Sequence, residues 1–144
     1  MKAFSYSLEK ILKLRKHYED EAKIELGKAV SALAEIEQKI YANAAETVRA
    51  QAAQFASNNT ATQMQQYMFY LIRLHNAKEE LLSEAAKAEQ IVEQAREAFL
   101  EASRERKVLD KLKEKRLKEH RKMVLIEETN AMDDIYANLA RAGD

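Results

Sequence analysis

Residues 64–109 read MQQYMFYLIRLHNAKEELLSEAAKAEQIVEQAREAFLEASRERKVL, and this stretch decides the fold. Steps of three and four residues taken alternately from Met64 land on Tyr67, Leu71, Leu74, Lys78, Leu81, Ala85, Ala88, Val92, Ala95, Phe99, Ala102, Arg106 and Leu109. Twelve of these fourteen positions are apolar, the exceptions being Lys78 and Arg106. A seam that persists over several heptads predicts a coiled-coil helix, not a strand or a short globular helix. Toward the N-terminus, Ser57-Asn58-Asn59-Thr60 breaks the pattern. Such short polar side chains compete with helix for backbone hydrogen bonds and favour turns and caps. Thr60 and Gln63 have the spacing of a capping box, so a second helix is expected from about residue 61.

Upstream of that turn a second seam runs through Phe4, Leu8, Ile11, Arg15, Tyr18, Ala22, Leu26, Ala29, Leu33, Ile36, Ile40 and Ala44. Two successive four-residue steps about Ala22 predict a stutter, a local unwinding of the supercoil. Gly27 beside it weakens the helix by about 1 kcal/mol relative to Ala. It predicts a slight bend or a close backbone contact. Ser7 is placed to cap the first turn, with Tyr6 and Ile11 placed as a hydrophobic staple. The expected fold is all-α: a long antiparallel two-helix coiled coil, or helical hairpin, with the second helix longer than the first. Residues 1–144 form a single hairpin in this reading, with helix one over about 7–55, the turn at about 57–60 and helix two over about 61–139.

Counting outward from the turn places Leu33 opposite Leu82 and Leu8 opposite Leu109. At ~1.5 Å per residue the paired part is roughly 70–75 Å long. Helix two then overhangs after about residue 110, carrying Leu112, Leu117, Met123, Leu125, Ile126, Ile135 and Leu139. An uncovered apolar stripe of this kind marks a partner surface; the bland alternative is a frayed tail.

Composition agrees. The chain has no Pro, no Cys and only two Gly among 144 residues. Turn-making residues are therefore scarce, which argues against a compact fold with many connections. The charged fraction of 33% admits disorder, but 47% hydrophobic residues and zero net charge argue for burial. The longest apolar run, residues 67–72, is far shorter than the roughly 20 residues of a membrane span. Residues 1–9 lack the pattern of a secretory leader. The absence of Cys suits a cytosolic protein.

Catalytic machinery is not expected. The sequence has no Gly-rich phosphate loop, no Cys nucleophile and no nucleophile elbow. His17, His75 and His120 lack ligand spacing, so neither a metal nor a cofactor is expected. A helix pair also encloses no water-excluding pocket. Two surface features are candidates for binding instead. Residues 104–122 hold ten Lys/Arg against four Glu/Asp. That segment suits docking on an acidic protein surface; a solvated helix face and nucleic-acid binding are the alternatives. Phe69, Tyr70 and Ile72 lie off the seam at the hairpin end, and Tyr41, Ala45, Val48, Tyr70 and Leu74 are expected to gather on one flank there, as interface anchors, as a cap on the coil or as a seal against a second copy.

The run Phe4-Ser5-Tyr6-Ser7-Leu8-Glu9-Lys10-Ile11-Leu12-Lys13-Leu14-Arg15 resembles the start of the FliJ family of flagellar export proteins. Leu109-Asp110-Lys111-Leu112-Lys113-Glu114-Lys115-Arg116 resembles that family too, as does the ending with Glu127-Glu128 and Met132-Asp133-Asp134-Ile135. The resemblance covers nearly the whole chain. It implies a non-enzymatic stalk or adaptor of the bacterial flagellar type III export apparatus, serving motility. Its implied partners are the export ATPase hexamer, the cytoplasmic domain of the export gate and export chaperones, with no nucleic acid and no membrane insertion. The implied location is cytoplasmic, peripheral at the flagellar base. By analogy with a rotary stalk, Leu8, Ile11, Arg15, Leu112, Lys113, Arg116, Lys122 and Met123 would enter the ATPase ring. Tyr41, Val48, Tyr70 and Leu74 would meet the gate. The alternatives are a self-associating structural coiled coil and the stalk of a related type III secretion system.

Overall fold

A computed structural model describes residues 2–56 and 58–143. Helix α1 spans Glu9–Gln54 and helix α2 spans Ala61–Ala142. The two pack against each other as a helical hairpin, and α2 is the longer. Of the expected turn, Ser57 lies outside the described residues.

The ends of the helices explain where they stop. The Thr60 hydroxyl accepts the Gln63 amide at 3.2 Å, and Gln63 Oε1 accepts the Thr60 amide at 2.9 Å. Both halves of the expected capping box are therefore made, and two free donors of the first turn are satisfied. Asn59 closes the preceding helix. Its Nδ2 donates to the carbonyls of Ala53 and Gln54, the latter at 3.2 Å. Those are orphan acceptors at a helix C-terminus. At the other end of α1 the expectation needs correcting. The helix starts at Glu9, and the Ser7 hydroxyl accepts a hydrogen bond from Arg116 at 3.1 Å. Tyr6 turns to α2, while Ile11 is left 44% exposed, so the expected staple is replaced by a contact across the helices.

The hairpin divides into two compact units, a terminal unit of Met1–Glu19 with Glu101–Asp144 and a turn-side unit of Asp20–Leu100. In the terminal unit the α1 seam consists of Leu8, Leu12, Arg15 and Glu19. Leu12 is fully buried, whereas Ile11 and Tyr18, expected in the seam, are both 44% exposed. At the second of these positions the seam takes Glu19 in place of the apolar Tyr18, because Glu19 is tolerated there by pairing with Arg106 at 2.6 Å. With that correction the three-four alternation in α1 is regular from Leu8 to Ile40, and the expected stutter at Ala22 disappears.

In the turn-side unit Leu33, Ile36, Ile40, Leu74 and Leu81 are half-buried in the seam, and the most buried positions are mostly Ala. Ala29, Ala50, Ala85, Ala88 and Val92 are buried. Alanine permits close approach of the two backbones at little side-chain entropy cost. The successive four-residue steps fall in α2, through Ala77, Leu81 and Ala85, and Lys78 is exposed. On α1 the seam takes Asn43 where Ala44 was expected. Asn43 Nδ2 donates to the Leu74 carbonyl at 3.0 Å, while its Oδ1 is buried with no protein partner. A polar seam residue of this kind costs stability and fixes register. Gly27 makes no close approach, since a Cβ built there meets nothing within 4 Å.

Candidate functional site

In the terminal unit, residues 2–8 lie across α2 as a non-helical strap. Phe4 sits with its ring centroid 5.6 Å from that of His120. Tyr6 is 7% exposed and its hydroxyl donates to the Leu109 carbonyl at 3.1 Å. The Arg116 guanidinium lies 5.6 Å over the Tyr6 ring. Glu9 pairs with Lys113 at 2.8 Å. The Lys113 hydrogen bond, aided by nearby lysines, holds the Glu9 carboxyl below the usual carboxylate range. A cation over an aromatic face adds an attraction that a neutral side chain lacks.

This strap moves the register. Ser7 reaches Arg116 and Glu9 reaches Lys113, so Leu8 is level with residues about one helical turn beyond Leu109, its expected neighbour. Leu112, Leu117 and Val124 are consequently half-buried. The uncovered part of α2 starts after Val124, not after residue 110, and every residue of 125–143 is exposed.

The residues expected at an ATPase ring all belong to the terminal unit, but they play different parts. Leu8 and Leu112 are half-buried. Arg15 pairs with Glu105 at 2.6 Å. Lys113 and Arg116 hold the strap. Only Ile11, Lys122 and Met123 are exposed without such a task. Ile11 and Arg15 join Glu105, Val108 and Leu109 around an open groove of about 290 Å³. Arg106 bridges Glu19 and Asp110, and the hydrogen bonds it donates to Glu19 and then Asp110 push its pKa up. The exposed cations form another pattern. Lys107, Lys111, Lys115, Lys118 and Lys122 follow one another at three- and four-residue steps, all exposed.

The turn-side unit carries the residues expected at the export gate. They do not form one cluster. Tyr41 and Val48 are 75% and 65% exposed and, seven residues apart, share the face of α1 turned away from the seam. Tyr70 instead donates to Glu46 at 3.0 Å, which raises the Tyr70 pKa above its ordinary value. Leu74 lies half-buried in the seam, with its carbonyl accepting Asn43. Around the off-seam Phe69 and Ile72 the sequence carries a further signal, an absence of charge. Between Arg49 and Arg73 there is no Asp, Glu, Lys or Arg, although a third of the chain is charged. Within that stretch Phe55 is 75% exposed, Phe69 55%, Ile72 52% and Met68 46%. An uncharged patch with aromatics and Met has the composition of an interface core.

Among the described residues no group of His, Cys, Asp and Glu has metal-binding geometry, and no helix is long and apolar enough to cross a membrane. The family model for "Flagellar FliJ protein" matches residues 4–143. The chain belongs to the FliJ family. It is thereby a component related to flagellar protein export. No curated protein and no solved structure matches it. For this FliJ-family chain the strap explains why the opening motif is so distinct from generic coiled coil: Phe4, Tyr6, Ser7 and Glu9 each have a separate contact on α2. The spacing of α2 alone held no trace of those contacts, since the strap is not helical.

Proposed function

We infer that the chain is a non-enzymatic adaptor of the flagellar type III export apparatus, joining the export ATPase ring to the cytoplasmic domain of the export gate. The observation that supports this is the unlike character of its two uncovered surfaces. The terminal unit exposes a groove beside Ile11 and Val108 and an apolar tail, all among charged residues. The turn-side unit exposes an uncharged aromatic patch. One partner does not suit both, because charged surfaces steer association while uncharged cores supply desolvated contact. Family membership assigns the export apparatus as the setting. In this reading the terminal unit enters the ATPase ring, the turn-side unit meets the gate, and chaperones released from their cargo are received on the way. The protein works at the cytoplasmic face of the flagellar base.

The test is a titration of the purified chain into the cognate export ATPase. The expected result is increased ring assembly or turnover. Ile11→Asp and Val108→Asp, both at exposed positions, should abolish the increase, whereas Phe69→Ser and Ile72→Ser should leave it and weaken gate binding. Absence of any effect on the ATPase, or equal loss from both pairs, would overturn the reading.

A further inference from the structure

We propose that the outward face of α1 in the turn-side unit pairs with the same face of a second copy of this chain, the two helices running antiparallel. Alternating steps of three and four residues from Ile24 to Ala52 cross nine positions of α1, all exposed and none charged. That spacing is a second heptad seam, on the side of the helix turned away from α2. Tyr41 and Val48 are large members of it, 75% and 65% exposed. The seam has an end. The same steps continued upstream meet Asp20, His17 and Lys13, and the outward face of α2 in this unit carries Glu93 and Glu97. A helix of a two-helix hairpin needs one apolar stripe, with charge on its back. A second stripe free of charge marks a contact with a further helix.

A two-fold axis level with residue 43 matches this face to itself. It sets Tyr41 level with Ala45 of the second copy, Gln38 with Val48 and Ala34 with Ala52. Ala42 and Ala44 stand beside the axis, where small side chains let the two backbones approach. Each flank of an antiparallel pair meets its own counterpart. Glu35 therefore comes within two residues of the level of Arg49 of the second copy, about 3 Å along the helix, and the pair occurs twice. Arg49 holds Glu46 at 3.1 Å along its own helix, an exposed pair whose guanidinium has donors to spare. On the other flank Glu37 meets the side-chain amide of Gln51. Other arrangements are poorer. A slip of one heptad toward the N-terminus sets Lys28 against Arg49, and a parallel pair sets Lys23 against Lys28. Complementary charge in one self-matching register selects a second copy over an unrelated apolar helix. The overlap of residues 34–52 is roughly 27 Å long, so the interface is small and the dimer dissociates on dilution. Phe69 and Ile72 stay uncovered, because they lie on the outward face of α2, on the other side of the hairpin. The gate is met there in the adaptor reading, and the dimer goes beyond that reading without displacing it.

The experiment is sedimentation equilibrium of the full chain over a concentration series. A monomer–dimer equilibrium is expected. Ala45→Glu puts a carboxylate into the seam beside the axis and should weaken association at least about tenfold, with circular dichroism unchanged. The same change on the back of α2, Ala86→Glu, should leave association as it was. Glu35→Arg and Arg49→Glu should each weaken the dimer about tenfold, and the two together in one chain should restore it, since opposite charges face each other again. A chain that stays monomeric up to about 1 mM would overturn the proposal. Equal effects of Ala45→Glu and Ala86→Glu, or no restoration in the double variant, would do the same. So would unchanged dimerisation of Ala45→Glu together with lost gate binding, which would show that the gate covers this face of α1. Because the adaptor reading is tested at Ile11, Val108, Phe69 and Ile72, the two can fail independently.

Discussion

The terminal and turn-side units solve the same packing problem with different chemistry. In the terminal unit the bonds between helices are largely ionic: Arg15 with Glu105, Arg106 with Glu19, and Lys113 with Glu9. In the turn-side unit the ion pairs Lys28–Glu25 and Arg49–Glu46 run along one helix, and Asn43 and Asn59 make the polar bonds to backbone carbonyls. Alanines line its seam. The difference teaches how a uniform helical composition becomes two distinct surfaces. Where charges are consumed between helices, a large Leu and a Tyr fill the interior beside them. Where the seam is small and neutral, aromatics are left on the outside.

The comparison breaks most readily at Leu12. Leu12→Ala should cost about 2–5 kcal/mol, because a fully buried side chain leaves a cavity. Urea unfolding gives the total, and hydrogen exchange should lose protection chiefly in the terminal unit. Equal loss in both units would erase the distinction between them. Next comes Arg106→Ala, expected to cost about 2 kcal/mol by leaving Glu19 and Asp110 without their shared cation. Combining Arg106→Leu with Glu19→Leu should recover most of that loss, which thermal unfolding can check. If the double variant is no better, the ionic bridge contributes more than its desolvation costs.

The turn-side unit offers smaller effects of both signs. Thr60→Ala removes the hydroxyl half of the capping box and should cost about 1 kcal/mol by denaturant unfolding. Gly27→Ala should stabilise the chain by about 0.5–1 kcal/mol, since the new methyl meets open space and the unfolded state loses freedom. A destabilised Gly27→Ala would reveal a crowding that the geometry does not contain. The subtlest effect is a pH response of the strap. Glu9 has a depressed pKa in the folded state, so its contribution is full above the unfolded carboxylate's pKa. It is lost as pH falls through the folded value. Exchange protection of the strap should therefore fall in acid below the usual carboxylate range. Glu9→Gln should flatten that response while the turn-side unit shows none of it.

Much of the fold was legible because helix periodicity and missing turn residues are properties of the chain itself. Met64–Leu109 specified a seam, and Thr60 with Gln63 specified a helix start that the bonds reproduce. The choice between Ile11 and Leu12, or between Tyr18 and Glu19, was not legible. It depends on whether α2 supplies a partner for a buried charge, and Arg106 does. The gate-side cluster failed for a related reason: residues expected level with one another across the hairpin can still face differently, since Tyr41 is 75% exposed on α1 while Leu74 is half-buried in the seam of α2. The uncharged stretch was visible throughout, but periodicity asks where apolar residues recur and is silent on where charge is missing.

By itself, then, the sequence determined two helices, one turn and the family, because local capping, helix propensity and a long heptad pattern act within the chain. Tertiary structure decided the register at the termini and which cations are free. A strap without helical periodicity engages Lys113 and Arg116 from across the hairpin, and only that contact separates them from the row of lysines left facing outward.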